Sequence, residues 1–186
     1  MPSPWRELLP TRIEVGGVEY EIRSDYRAIL DICAALSDPE LDGQERAAAA
    51  LTIFYPDLED MPQSHYEEAL KECLRFINGG AAEMPGKAPR LVDWEQDFAY
   101  IVAPINRVTG QEIRAVEHLH WWTFLAAYYE IGDCTFAQIV RIRDKLARGK
   151  PLDKADRAWY SQNRRLVDFK RKYTEQEEAI LDQWMR

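Results

Sequence analysis

Arg12-Ile13-Glu14-Val15-Gly16-Gly17-Val18-Glu19-Tyr20-Glu21-Ile22, followed after one residue by Ser24-Asp25-Tyr26-Arg27-Ala28-Ile29-Leu30-Asp31-Ile32-Cys33-Ala34-Ala35-Leu36, is where the chain changes its hydrophobic period. In the first stretch apolar residues alternate with charged ones on both sides of Gly16-Gly17, the pattern of a two-residue hairpin turn. A lone hairpin is marginal in water, so its apolar face (Ile13, Val15, Val18, Tyr20, Ile22) must pack on something else. From Ser24 onward the period is helical. Tyr26, Ile29, Leu30, Cys33 and Leu36 form one stripe, with Ser24 or Asp25 as the cap.

Nothing after this reads as strongly as strand. A second helix is expected from Asp42, with Glu45 three residues on, through Ala47, Ala50, Leu51 and Phe54 to Pro56. A third follows a capping box at Ser64 and Glu67, with Tyr66, Leu70, Cys73, Leu74 and Ile77 inward, and ends at Gly79-Gly80. A fourth starts near Asp93 and turns Trp94, Phe98, Ile101 and Ile105 inward until Pro104 kinks or ends it. The fifth carries His118 to Tyr129 and stops at Gly132. Thr135 and Gln138 cap a sixth through Ile139, Val140, Ile142 and Leu146. A basic helix follows around Trp159 to Tyr173, and Thr174 with Glu177 caps a last one before Ile180, Leu181 and Trp184. The expected fold is mainly α, about seven or eight helices with an N-terminal β-hairpin. It is read as a single helical domain over 1–186, with the hairpin at 12–22, helical parts at 24–79 and 92–186, and a mobile loop at 80–91.

Composition sets the class. The chain of 186 residues is 46% hydrophobic and 30% charged, ordinary for a globular protein able to bury a core. No apolar run approaches the roughly 18 to 20 residues of a membrane span. Met1 to Pro10 lacks the pattern of a signal peptide, so a cytoplasmic protein is expected. Cys33, Cys73 and Cys134 are odd in number and scattered, which argues for free thiols over disulfides or zinc. The net charge of −8 is uneven: residues 1–100 hold 20 acidic and 9 basic side chains, whereas Ala137 to Lys172 holds 12 basic and 4 acidic ones. Such polarity can draw in an acidic partner or a second copy of the chain. An acidic chain is a poor candidate for nucleic acid.

The densest chemistry lies in His118-Leu119-His120-Trp121-Trp122-Thr123-Phe124. On a helix, histidines two apart point to nearly opposite sides and cannot chelate one metal. The only other histidine, His65, stands in no ligand motif. Asp93, Glu95 and Asp97 read as helix-terminal acids favoured by the dipole, rather than as an acid–base pair. No phosphate loop, nucleophile elbow or triad order is present. Catalytic, metal and cofactor residues are therefore expected to be absent. The aromatics of the cluster read as core, with a share of the helix facing a partner.

The order of motifs resembles the bacteriophage gene-product-fifteen family over nearly the whole chain. The resemblance rests on Val15 to Ile22 and Ser24-Asp25-Tyr26-Arg27, on Leu74-Arg75-Phe76-Ile77 before Gly79-Gly80, and on Val92 to Asp97 with Tyr100-Ile101. Its most specific element is His120-Trp121-Trp122-Thr123-Phe124, followed later by Ile142-Arg143. It departs at Asn106 to Val116 and along the basic C-terminal region. What it implies is a non-enzymatic tail-assembly chaperone that acts in the host bacterial cytoplasm and is absent from the finished virion. Its partner would be the tape-measure protein, with the major tail-tube protein and a second copy as further partners. A structural protein retained in the virion and a nucleic-acid-binding regulatory domain are the alternatives. With an apolar helical client, the expected partner-binding residues are Trp94, Phe98, Trp121, Trp122, Phe124, Tyr128 and Tyr129.

Overall fold

The computed structural model describes residues 8–81 and 89–170, and in them the chain is mainly α with an N-terminal hairpin. Strands β1 (Arg12–Val15) and β2 (Val18–Glu21) pair antiparallel with Ile13 opposite Tyr20 and Val15 opposite Val18. Helices follow as α1 (Tyr26–Leu36), α2 (Gly43–Phe54), α3 (Tyr66–Ile77), α4 (Trp94–Thr109), α5 (Trp121–Tyr129), α6 (Thr135–Ala147), α7 (Lys154–Gln162) and α8 (Arg164–Val167). None of the described helices is long and apolar enough to cross a membrane. Most of the loop expected at 80–91 and the helix expected after Thr174 lie outside the described residues.

The chain forms two compact units. One gathers the described residues of Met1–Met84 with Glu117–Leu125; the other gathers those of Pro85–Val116 with Ala126–Arg186. In the first unit the hairpin turns at Gly16 and Gly17, both with positive φ. A side chain at Gly16 would sit 2.5 Å from the His65 ring, so close approach as well as conformation requires glycine there. Val15 and Ile22 are buried, but Val18 at the turn is 47% exposed and leaves the expected apolar face incomplete. Asp25 caps α1, accepting from the Arg27 N–H. Tyr26 and Ile29 of the expected α1 stripe are buried and Ile32 joins them, while Leu30, Cys33 and Leu36 are half-buried. Asp42 and Glu45 form the expected capping box of α2. Ser64 and Glu67 do not form one. A 3-10 turn at Gln63–His65 enters α3 directly, so its N-cap His65 already has helical φ/ψ, where no extended capping residue can stand. The buried face of α3 is Ala69, Cys73 and Phe76.

In the second unit Asp93 caps α4, and Asp97 returns the bond by accepting from the Asp93 N–H at 2.9 Å. Pro104 does not end this helix, which runs on to Thr109. A mid-helix proline costs roughly 3 kcal/mol, and Pro104 is buried, as are Ile101, Val102 and Ile105 of the same helix. Trp94 and Phe98 are half-buried beside this apolar face. The cap of α6 is Cys134, whose sulfur accepts from the Ala137 N–H; Thr135 is already the first helical residue. Over the described part of the expected basic helix there are two short ones, parted at Asn163, whose backbone N–H and side-chain amide both donate to the Trp159 carbonyl; residues 171–173 lie outside the described residues.

Arg143 organises this unit. Its guanidinium donates to both Asp97 oxygens (2.5 and 3.0 Å) and to the carbonyls of Leu91, Leu166 and Val167 (2.9, 3.0 and 2.7 Å). All five N–H donors are used, and the Phe169 ring lies over the group at 4.1 Å. Asp97 is thus a buried counter-ion as well as a helix-terminal acid. A second buried acid, Asp156, holds α7 to α6 through Gln138, Arg141 and Lys145. Several basic side chains of 137–172 are therefore spent on acids inside the unit, Arg143 on Asp97 and Arg141 and Lys145 on Asp156. Breaking one side of a buried pair leaves an uncompensated charge, at about 3–5 kcal/mol. Arg143→Met and Asp97→Asn should each lose that much in urea unfolding. Arg143→Lys should lose nearly as much, since an ammonium cannot reach three carbonyls and a carboxylate together. Arg148→Met at the exposed Asp144 pair should lose no more than about 1 kcal/mol.

Candidate interaction surface

The His118–Phe124 cluster does not lie within one helix. Helix α5 begins at Trp121, and the residues before it run extended as an antiparallel bridge between His120 and Asp25. Tyr26 N–H donates to the Leu119 carbonyl, Trp121 N–H to the Ser24 carbonyl, and Leu119 N–H to the Asp25 carboxylate (2.9, 2.7 and 2.8 Å). The angular argument that separated the two histidines therefore does not apply. Their partners keep them apart instead. His118 is exposed and meets the Ser24 hydroxyl, whereas His120 is buried against Pro10 and Trp122. Among the described residues no three His, Cys, Asp or Glu side chains converge as a metal ion requires.

The two tryptophans have a specific task. Trp121 Nε1 donates to the Ile77 carbonyl at 2.8 Å, and Trp122 Nε1 to the Phe76 carbonyl at 2.9 Å. These are terminal carbonyls of α3, beyond the reach of its i→i+4 ladder, and that of Phe76 also accepts the Gly79 N–H. Trp121 and Phe124 are buried, and Phe124 stacks on Tyr26 at 4.8 Å. Both are core residues, and a partner could reach them only if the unit opened. Trp122 is half-buried, with one face on Phe76 at 5.5 Å. The other four expected contact residues belong to the second unit. There Tyr128 is half-buried between Trp94 and Phe136, at 5.1 and 5.8 Å, Phe98 is half-buried on α4, and Tyr129 is 72% exposed.

Trp122 walls a cleft of about 130 Å³ that the sequence did not announce. Its other lining residues are Pro10, Ile13, Glu72, Arg75, Phe76 and Gly80. They come from the edge of β1, the end of α3 and the start of α5, so no local motif could have marked them. Gly80 has φ +82°, and a Cβ there would press on the Trp122 ring at 3.2 Å. Arg75 is held at the rim by Glu72 and by the Gly80 carbonyl. A second cleft of about 200 Å³ is lined by Glu19, Tyr20, Glu21, Tyr55, Asp57 and Asp60. The thiols offer little reactivity: burial pushes Cys33 up to about 11 and Cys73 up to about 12, so both stay protonated.

His120 sets a pH dependence. The Pro10 carbonyl can only accept, so Nε2 must carry the proton; the Trp122 N–H can only donate, so Nδ1 must be bare. The ring is thus held neutral. Burial lowers its pKa; the Pro10 carbonyl bond opposes the shift, and nearby His118 adds a smaller lowering. A depressed folded value means this contribution is intact above the ordinary imidazole value of 6.5 and lost as pH falls through the folded pKa. The urea midpoint of the wild type should therefore drop more than that of His120→Gln between about pH 7.5 and about 5.5. Equal drops would show that His120 does not titrate as described.

A family model described as bacteriophage Gp15 protein matches residues 5–169. Searches of curated proteins and of solved structures found no match to this chain. With the hairpin, the α3 terminus and the tryptophan pair all inside the matched region, the chain belongs to the bacteriophage Gp15 protein family.

Proposed function

We propose that this phage protein is a non-enzymatic tail-assembly chaperone that binds the tape-measure protein before the tail tube forms and helps recruit tail-tube subunits. The family match over 5–169 carries the reading. The cleft at Trp122 supports it with a concave apolar feature of the kind that receives side chains of a client. A long helical client exposes apolar stripes until it is enclosed, and a chaperone covers them reversibly. Such a factor works in the host cytoplasm and leaves before the virion is complete. Co-expression with the tape-measure protein of the same phage should convert that protein into a soluble complex that co-purifies with this chain. A client that stays insoluble or unbound overturns the reading. Mass spectrometry of purified virions should not find the chain; its presence at stoichiometric level would make it a structural tail protein.

A further inference from the structure

We propose that the cleft beside Trp122 is an anchor site for one bulky apolar side chain carried on a lysine- or arginine-rich segment of a partner protein. The proposal rests on the chaperone reading for the identity of that partner, and on geometry and charge for its chemistry. Size comes first. A cavity of about 150 Å³ accommodates one benzene ring, whereas sites for cofactors and drug-sized ligands start near 300 Å³. At about 130 Å³ the cleft holds a single large side chain. Ile13, Phe76 and the Trp122 ring give it apolar walls, and Gly80 keeps the side facing Trp122 free of a side chain.

Charge selects what flanks the anchor. The unit that contains the cleft holds 18 acidic and 7 basic side chains by sequence, a net of −11, against a chain total of −8. The elements forming its walls follow suit. The hairpin strands carry Glu14, Glu19 and Glu21 against Arg12, and α3 carries Glu67, Glu68 and Glu72 against Lys71 and Arg75. The nearer cations are engaged: Lys71 pairs with Glu67, and Arg75 with Glu72. An acidic segment approaching this face would be repelled, and a basic one steered in.

The test uses the full chain and a fluorescein-labelled helical peptide with one phenylalanine between lysines, read by anisotropy at low salt. Binding should weaken about tenfold or more when the peptide's phenylalanine becomes alanine, and be lost when its lysines become glutamates. Ile13→Phe, which fills the cleft, and Glu72→Lys, which removes the acid paired with Arg75 and leaves two cations at the rim, should each weaken binding, with folding checked by circular dichroism. If Ile13→Phe fails to fold, Glu72→Lys and the peptide controls still decide. Equal binding of the alanine or glutamate peptides, or wild-type binding by folded variants, overturns the proposal. So does binding that appears only on deleting residues 1–7, or a self-association that both variants abolish, since the chain's own N-terminal residues or a second copy would then be the occupant. The two readings fail separately. Tape-measure capture that survives both variants sinks the anchor site alone, and peptide binding without tape-measure capture sinks the chaperone reading alone.

Discussion

The antiparallel bridge between Asp25 and His120 is the constraint on which the first unit depends. Asp25 caps α1 through the Arg27 N–H, pairs with the Arg27 guanidinium, and accepts the Leu119 N–H from 94 residues away. One carboxylate thus fixes both where α1 begins and where α5 begins. Because α5 starts at Trp121, the two indoles are delivered onto the last carbonyls of α3 instead of to solvent. The His120 ring locks the same junction, bridging Pro10 before the hairpin and the Trp122 N–H. The hairpin, α1, α3 and α5 therefore meet around a short extended segment that a helical reading of the sequence would have erased.

The second unit is organised differently, by a cation that collects carbonyls. Arg143 takes a loop carbonyl, Leu91 before α4, and the last carbonyls of α8, Leu166 and Val167, and ties both to Asp97. Magnitudes separate it from the other basic residues around it. A buried pair that loses one partner costs about 3–5 kcal/mol, while an exposed pair contributes about 0–1 kcal/mol. The run of charge in this region is thus not one feature. A few members, such as Arg143 and the Lys145 partner of Asp156, fix the fold. Arg148 on Asp144 decorates its surface.

What the sequence disclosed follows from the range of the interactions. Gly16-Gly17, the Asp42–Glu45 box and the Asp93 cap are complete within a few residues, so their residue types sufficed. Ser64 offered the same signal but lost to a 3-10 entry, and Thr135 lost its place to Cys134. Pro104 carries a local cost that the residue type announces, but whether it ends the helix depends on tertiary burial, and here α4 runs on to Thr109. His118 to His120 were placed on a helix because their neighbours are helical, yet their bonding partners lie near residue 25. Asp97 and Arg143, 46 positions apart, showed only as an acid near a helix start and a base in a basic run. The cleft is the extreme case: Pro10, Ile13, Arg75, Gly80 and Trp122 share no local pattern at all.

The residues on which the family resemblance rests include scaffold contacts, which carry no chemistry of their own. Phe76-Ile77 before Gly79-Gly80 and His120-Trp121-Trp122 are two separate motifs in the chain. In the fold they are two halves of one contact, since the indoles donate to the Phe76 and Ile77 carbonyls and Gly80 leaves room for the Trp122 ring. The carbonyls are backbone atoms that any residue supplies, so the contact restrains the indoles and Gly80 rather than the side chains at 76 and 77, and it performs no reaction. The same contact shapes the surface of the cleft. Trp122 belongs to both, with its nitrogen committed to the scaffold and its ring forming a wall of the cleft. Replacing it would alter fold and recognition together, which is why the neighbours that line the cleft without holding the junction are the positions where the two can be told apart.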